Sequence, residues 1–105
     1  MSYAIVFKEN EDFKQRIIQS KLFEQGFTWF GSNSKEVHID NSNYIILFVY
    51  EDEKVLTRKS YYFSSQYSGG ETYLEQAVKI VKNYHPSWKT ISVSEILNPK
   101  PMSTE

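Results

Sequence analysis

The chain has 105 residues, a length that fits one domain with an ordinary hydrophobic core. It contains no cysteine, which excludes disulfides, thiolate metal sites and a cysteine nucleophile. The formal net charge of -1 gives no bulk attraction to nucleic acid or to an anionic membrane, and no apolar run approaches the roughly 18 to 20 residues that span a bilayer. The start Met1-Ser2-Tyr3 carries no basic leader, so we expect a cytoplasmic location and no membrane partner.

The first predicted elements are a strand and an amphipathic helix. Tyr3 to Phe7 is a short apolar run, which is typical of a strand. A helix is predicted over residues 10–25, with Asn10 as the capping residue at its start. Its buried face is predicted from apolar residues at helical spacing, which are Phe13, Ile17, Ile18 and Leu22.

The end of this helix is strongly marked. Gly26 can adopt the left-handed conformation that ends a helix in a Schellman turn. Phe27, one residue further, would then contact Leu22. Residues 27–30 are predicted to form a short strand, in which Trp29 is a buried anchor, and residues 31–34 a turn.

Residues 35–40 alternate between polar and apolar, which predicts a half-buried antiparallel strand with Val37 and Ile39 inward. Its outer face carries Glu36, His38 and Asp40, side chains that could bind a divalent metal or move a proton. Adjacent groups on such a face are about 7 Å apart, which is long for one metal ion. A solvated strand face is therefore the favoured interpretation.

The run Tyr44–Tyr50 consists entirely of apolar or aromatic strand formers, so it should be the central strand, buried on both faces. Residues 41–43 before it are predicted to form a turn. Residues 51–54 carry no apolar side chain and should form a hairpin loop. The returning strand is predicted over Val55–Phe63.

A loop containing Ser68-Gly69-Gly70 precedes the second predicted helix. Free N–H groups at such a position could bind a phosphate, but no lysine follows the glycines and Glu71 adds a negative charge. Thr72 and Glu75 have the spacing of a capping box, which marks the helix start. Leu74, Ala77, Val78 and Val81 form its predicted apolar stripe.

The second helix should end near Asn83, because Pro86 disfavours helical backbone at His85. A last strand is predicted over residues 90–97. We expect a single globular domain over residues 1–97 and a flexible C-terminal tail over residues 98–105, which contain two prolines.

These elements predict an α+β fold with a largely antiparallel sheet of about five strands and two helices packed on one face. The other face of the central strand is also apolar. It would be covered by aromatic side chains or by a second copy of the chain, so a homodimer is one expected assembly.

One segment resembles a group of known proteins. The run Leu22-Phe23-Glu24-Gln25-Gly26-Phe27-Thr28-Trp29 is similar to a motif of small uncharacterised proteins of large tailed bacteriophages. The order of elements over residues 3–82 is similar too. The motif carries no catalytic residues. The resemblance implies a protein that is made in an infected bacterium and binds a host component.

A set of cationic and aromatic residues is the main candidate binding site: Arg58, Lys59, Tyr61, Tyr62 and Tyr67. Bases stack on aromatic rings and cations hold phosphates, so the set could bind single-stranded nucleic acid. Tyrosine is also common in protein interfaces and in core packing. Alternation along the strand places Lys59 and Tyr61 on one face and Arg58 and Tyr62 on the other.

Two histidines and no cysteine leave little for nucleophilic catalysis, and no cofactor is expected. We therefore expect a small non-enzymatic binding protein, a phage accessory protein that modulates a host protein. The alternatives are a single-stranded nucleic-acid-binding module that uses the Lys59 and Tyr61 strand face, and a protein that binds a small ligand or a nucleotide.

Overall fold

The structure, a computed structural model, describes residues 2–40, 44–64 and 69–97. The predicted turn at residues 41–43 and the predicted tail at residues 98–105 lie outside these ranges. In chain order the elements are β1 (Tyr3–Phe7), α1 (Asp12–Glu24), β2 (Thr28–Trp29), β3 (Tyr44–Tyr50), β4 (Val55–Tyr61), α2 (Tyr73–Tyr84), β5 (Lys89–Ser92) and α3 (Val93–Leu97). None of the helices in the described ranges is long and apolar enough to cross a membrane.

The α+β class is confirmed, and the five strands form one sheet in the order β2-β4-β3-β1-β5. The run Tyr44–Tyr50 is the middle strand, and its five central residues are buried, as predicted. It pairs antiparallel with β1 and with β4. However, β5 runs parallel to β1, and β2 runs parallel to β4. The prediction of a largely antiparallel sheet is therefore wrong, and the sheet is mixed.

The two long helices lie on opposite faces of the sheet, so the prediction that both pack on one face is also wrong. Ile18 and Leu22 of α1 share a core with Leu47 of β3. Ala77 and Val81 of α2 share a second core with the other face of β3. This arrangement covers the second apolar face of the central strand without a partner chain.

The direction of the chain connections explains this placement. The connection from β1 through α1 to β2 crosses the sheet towards one edge, and the connection from β4 through α2 to β5 crosses it towards the other. Crossovers between parallel strands strongly prefer the right-handed form. Two crossovers of the same hand that run in opposite directions must put their helices on opposite faces.

The start of α1 differs from the prediction. Asn10 has a left-handed backbone with φ of 64°, and Glu11 is the N-cap residue. The Glu11 carboxylate accepts the Lys8 backbone N–H at 2.6 Å, which stabilises this entry to the helix. Phe13, predicted to be on the buried face, is 69% exposed, because α1 turns Ile18, Leu22 and its two buried glutamines towards the protein interior instead.

The Schellman turn at the end of α1 is confirmed. The Phe27 N–H donates to the Leu22 carbonyl at 3.1 Å, and the Gly26 N–H donates to the Phe23 carbonyl at 3.1 Å. Gly26 has φ of 100°, in the region where side chains with a Cβ are strained.

We expect Gly26→Ala to lower the free energy of unfolding by about 1 kcal/mol or more. A Cβ at this position would meet no atom within 4 Å, so the cost comes from backbone strain alone. Urea denaturation measures it. Gln25→Ala is the control, since Gln25 is exposed and has φ of -87°. An equal effect of the two changes would contradict the strained conformation of Gly26.

Residues 35–40 do not form a strand, contrary to the prediction. Their backbone is held by two side chains of α1. The Gln19 amide donates to the His38 carbonyl at 2.8 Å and accepts the His38 N–H at 2.8 Å. The Gln15 amide makes the same two bonds to Asp40, at 2.8 and 3.4 Å. These two glutamines, one helical turn apart, replace the neighbouring strand that an alternating segment would need.

The predicted last strand ends early. β5 stops at Ser92, and the short helix α3 begins at Val93, which is buried. The Glu95 carboxylate accepts the Ser92 backbone N–H at 3.1 Å, which is the returning bond of a capping box. The Ser-x-x-Glu spacing of residues 92–95 is a local signal for this helix start that the strand prediction did not use.

Candidate functional site

Helix α2 leaves part of β4 uncovered. It packs over β1 and β5 and reaches β3 through its rings, with Tyr73 near Tyr44 at one end and Tyr84 near Phe48 at the other. Between the C-terminal end of α2 and strand β4 is a hollow of ≈ 320 Å³, which we call the β4 cleft. Its walls are Phe48, Tyr50, Thr57, Arg58, Lys59, Tyr84 and His85.

An aromatic cluster fixes the inner wall of the β4 cleft. The Tyr50 hydroxyl lies 3.0 Å from His85 Nε2, at hydrogen-bonding distance. The His85 ring stacks on Trp88 with 3.8 Å between ring centroids and an angle of 10° between the planes. Phe48 contacts both rings, with its centroid 5.9 Å from His85 and 6.0 Å from Trp88. Held on several sides, these rings give the cleft a preformed aromatic wall.

The outer wall of the β4 cleft is cationic. Arg58 and Lys59 are both exposed, and neither forms an ion pair within the described residues. The Lys59 ammonium lies 5.8 Å from the centroid of the Tyr84 ring, within cation–π range. None of the described residues that line this hollow carries a carboxylate. Its electrostatic preference is therefore for a negatively charged group.

A second hollow of ≈ 280 Å³ adjoins the β4 cleft, shares Tyr50 and Thr57 with it and has Glu53 on its wall. Phe30 stands on the wall of this second hollow and is 72% exposed. Tyr84, on the wall of the first, is 55% exposed. Two exposed rings thus stand on the walls of two adjoining hollows above β4.

The predicted site residues are divided among different surroundings. Lys59 faces the β4 cleft, and Arg58 alternates to the other face of the strand while still reaching the rim of the cleft. Tyr62 is 75% exposed just beyond the end of β4. Tyr61 is buried, and its hydroxyl donates to the Tyr73 carbonyl at 2.7 Å. Tyr67 lies outside the described residues.

Tyr61 belongs to a tyrosine cluster at the start of α2. Its ring centroid is 5.7 Å from that of Tyr44, which in turn is 5.5 Å from that of Tyr73. Burial raises the pKa of Tyr61 above its ordinary value, and the neighbouring phenols raise it further. Burial likewise raises the pKa of Tyr44 and Tyr73. All three phenols therefore stay protonated at neutral pH, and the cluster acts as packing for α2.

The two other candidate sites have structural roles in the described residues. No three side chains of His, Asp or Glu gather to hold a metal ion in those ranges. The His38 ring packs edge-on against Trp29, with 5.2 Å between centroids. Ser68 lies outside the described ranges. At the helix start, the Thr72 hydroxyl accepts the Glu75 N–H at 3.1 Å, so a side chain of the protein satisfies this donor.

Sequence reasoning missed most of the cleft walls. In the sequence, His85 indicates only where α2 ends, and it is the C-cap residue. Tyr50 indicates only the end of the buried central strand. The two are 35 residues apart, and no pattern of spacing connects them. One signal in the sequence could have indicated this part of the cleft. Tyr84 and His85 are a pair of rings beside Pro86, at a helix end, where side chains are commonly exposed to solvent.

In comparisons with known proteins, no family model, curated protein or solved structure matches this chain.

Proposed function

We propose that this chain is a small non-enzymatic binding protein that holds a partner protein in the β4 cleft. The observation that carries the proposal is the pair of exposed rings, Phe30 and Tyr84, on the walls of two adjoining hollows beside the aromatic inner wall of the β4 cleft. Aromatic residues in partly desolvated pockets supply much of the affinity of protein interfaces. The resemblance of residues 22–29 to tailed-phage proteins supports a bacterial host protein as the partner, sought in the cytoplasm.

The test is affinity capture from bacterial lysate. We expect the wild-type chain to enrich a partner, and the double variant Phe30→Ser, Tyr84→Ser to lose it. Both rings are exposed, so the fold should survive, as circular dichroism can verify. Phe13→Ser is the matched control, because Phe13 is 69% exposed but lies on α1, on the opposite side of the sheet.

Equal loss of the partner in the Phe13→Ser control would move the interface to the α1 side. Absence of any enriched protein, together with a monomeric chain in light scattering, would remove the support for a protein partner. A concentration-dependent dimer that the double variant cannot form would instead make a second copy of the chain the occupant of the cleft.

Single-stranded nucleic acid is the second candidate, favoured by the cation–π contact between Lys59 and Tyr84. Such binding would weaken steeply as salt rises, because counterions are released from phosphates. Fluorescence anisotropy of a labelled oligothymidine at several salt concentrations distinguishes the two candidates. Salt-dependent binding that Tyr84→Ser and Lys59→Gln abolish would replace the protein partner by nucleic acid. A nucleotide-sized ligand, the third alternative, would be revealed by thermal-shift screening.

A further inference from the structure

The outer edge of β4 is covered only over part of its length. β2 pairs with β4 at Val55 and Leu56 alone. Beyond that point, no strand in the described ranges lies outside residues 57–61 of β4. Arg58, Lys59 and Ser60 are all exposed there.

The main-chain direction along this edge follows from the pairing with β2. The Phe30 N–H donates to the Leu56 carbonyl at 2.9 Å, so the main-chain groups of Leu56 point away from β3. Main-chain groups alternate in direction along a strand. Those of Arg58 and Ser60 therefore point outward too, whereas those of Lys59 point towards β3.

We propose that this edge adds an extended, acidic segment of the partner protein as a further strand. The segment would continue the sheet where β2 stops, bonded to the outward groups of Arg58 and Ser60. Its side chains on one face would enter the β4 cleft. Addition of a strand takes its affinity from main-chain hydrogen bonds and its selectivity from pockets for alternate side chains. This inference rests on the proposed function, since it names the kind of partner segment.

The charges favour an acidic segment over a second copy of the chain. Arg58 and Lys59 point to opposite faces of β4, so a carboxylate on either face of an added strand meets one of them. Antiparallel pairing of two β4 edges centred on Lys59 would set the two Lys59 ammonium groups opposite each other, and like charges in that position are destabilising. The same cations that oppose self-pairing thus attract a strand of opposite charge.

The experiment uses two capped octapeptides, one alternating valine with glutamate and one alternating valine with lysine. We expect the glutamate peptide to bind roughly tenfold or more tightly than the lysine peptide by fluorescence anisotropy. In amide hydrogen exchange followed by NMR, it should slow the Arg58 and Ser60 amides, whereas the Lys59 amide, already directed towards β3, should change little. A glutamate peptide N-methylated at two consecutive central residues has no free edge and should not bind.

Variants of the protein provide the second arm. Ser60→Pro removes the outward N–H of residue 60 but leaves the hydrogen bonds between β4 and β3 intact, so it should abolish peptide binding. Ser60→Ala keeps this N–H and should preserve binding. If Ser60→Pro does not fold, the binding of the N-methylated peptide to the wild-type chain tests strand addition instead. The inference would be overturned if the N-methylated peptide bound as tightly as the unmodified one, or if the lysine peptide bound more tightly than the glutamate peptide. It would also be overturned if the hydrogen exchange of the Arg58 and Ser60 amides did not change. An oligothymidine that slows the exchange of these amides, when the glutamate peptide does not, would overturn it as well.

The outcomes separate this inference from the proposed function. One outcome is a lysate partner that is lost by the double variant Phe30→Ser, Tyr84→Ser, is retained by Ser60→Pro, and is not displaced by the glutamate peptide. This outcome would support the proposed function and refute strand addition. Peptide binding at Arg58 and Ser60 without any lysate partner would support strand addition and remove the host-protein proposal.

Discussion

Trp29→Ala is expected to lower the free energy of unfolding by about 3 to 5 kcal/mol, the usual cost of deleting a large buried aromatic side chain. The Trp29 side chain is only 7% exposed, and its ring packs edge-on against Phe23 with 6.1 Å between centroids. Its indole N–H also donates to the Glu36 carbonyl at 2.7 Å, so the ring ties β2 to the segment of residues 35–40. The change removes a packed volume and a hydrogen bond together.

Urea denaturation followed by far-UV circular dichroism measures the effect of Trp29→Ala. Phe30→Ala is the matched control, since it removes an aromatic ring from the next residue, where the ring is 72% exposed. Surface substitutions of this kind usually change stability by less than about 0.5 kcal/mol. In a Trp88→Phe background, Trp29 fluorescence should be blue-shifted in the folded state. A red-shifted spectrum and an unchanged midpoint would show that Trp29 is at the surface.

Gln19→Glu is expected to cost about 2 to 4 kcal/mol at neutral pH and much less in acid. Gln19 is 1% exposed and its amide both donates to and accepts from His38. A protonated carboxyl group can do both, but a carboxylate can only accept and would face the His38 carbonyl. Burial should raise the pKa of the introduced carboxyl group above the value in the unfolded chain.

The sign of the pH dependence follows from that shift. Because the folded-state pKa is raised, the stability of the variant is fully present below about pH 4 and is lost as pH rises through the folded-state pKa. The quantity to measure is the difference in unfolding free energy between wild type and variant from about pH 3.5 to 8. Gln25→Glu, at an exposed position, is the control and should give a nearly constant difference. A constant difference for Gln19→Glu would mean that the Gln19 amide does not hold His38.

The candidate site shows where sequence reasoning stops. Lys59 and Arg58 were identified as binding residues because a cationic pair in a strand is a local feature. The rings that join them in the β4 cleft come from two other elements, Tyr50 from the end of β3 and Tyr84 with His85 from the end of α2. Tyr61 looked equally available in the sequence but is buried under Tyr73. Only the path of α2 across the sheet decides which tyrosines are covered.

The segment of residues 35–40 shows a related limit. Its alternation was real, since Val37 packs against the core while His38 is exposed. Alternation fixes which side chains point inward, but it does not specify what satisfies the main-chain groups. Here Gln15 and Gln19 of α1 supply those hydrogen bonds. Two glutamines at helical spacing do not by themselves predict such a contact in a sequence.

The sequence by itself determined the features whose physics is local. The central strand Tyr44–Tyr50, the hairpin loop after it, the Schellman turn at Gly26 and the capping box of Thr72 and Glu75 all depend on residues close together in the chain. The tertiary structure decided the strand order, the parallel pairing of β5 and β2, and the opposite faces of the two long helices. These depend on the direction in which each connection crosses the sheet, and hydrophobic periodicity carries no information about direction.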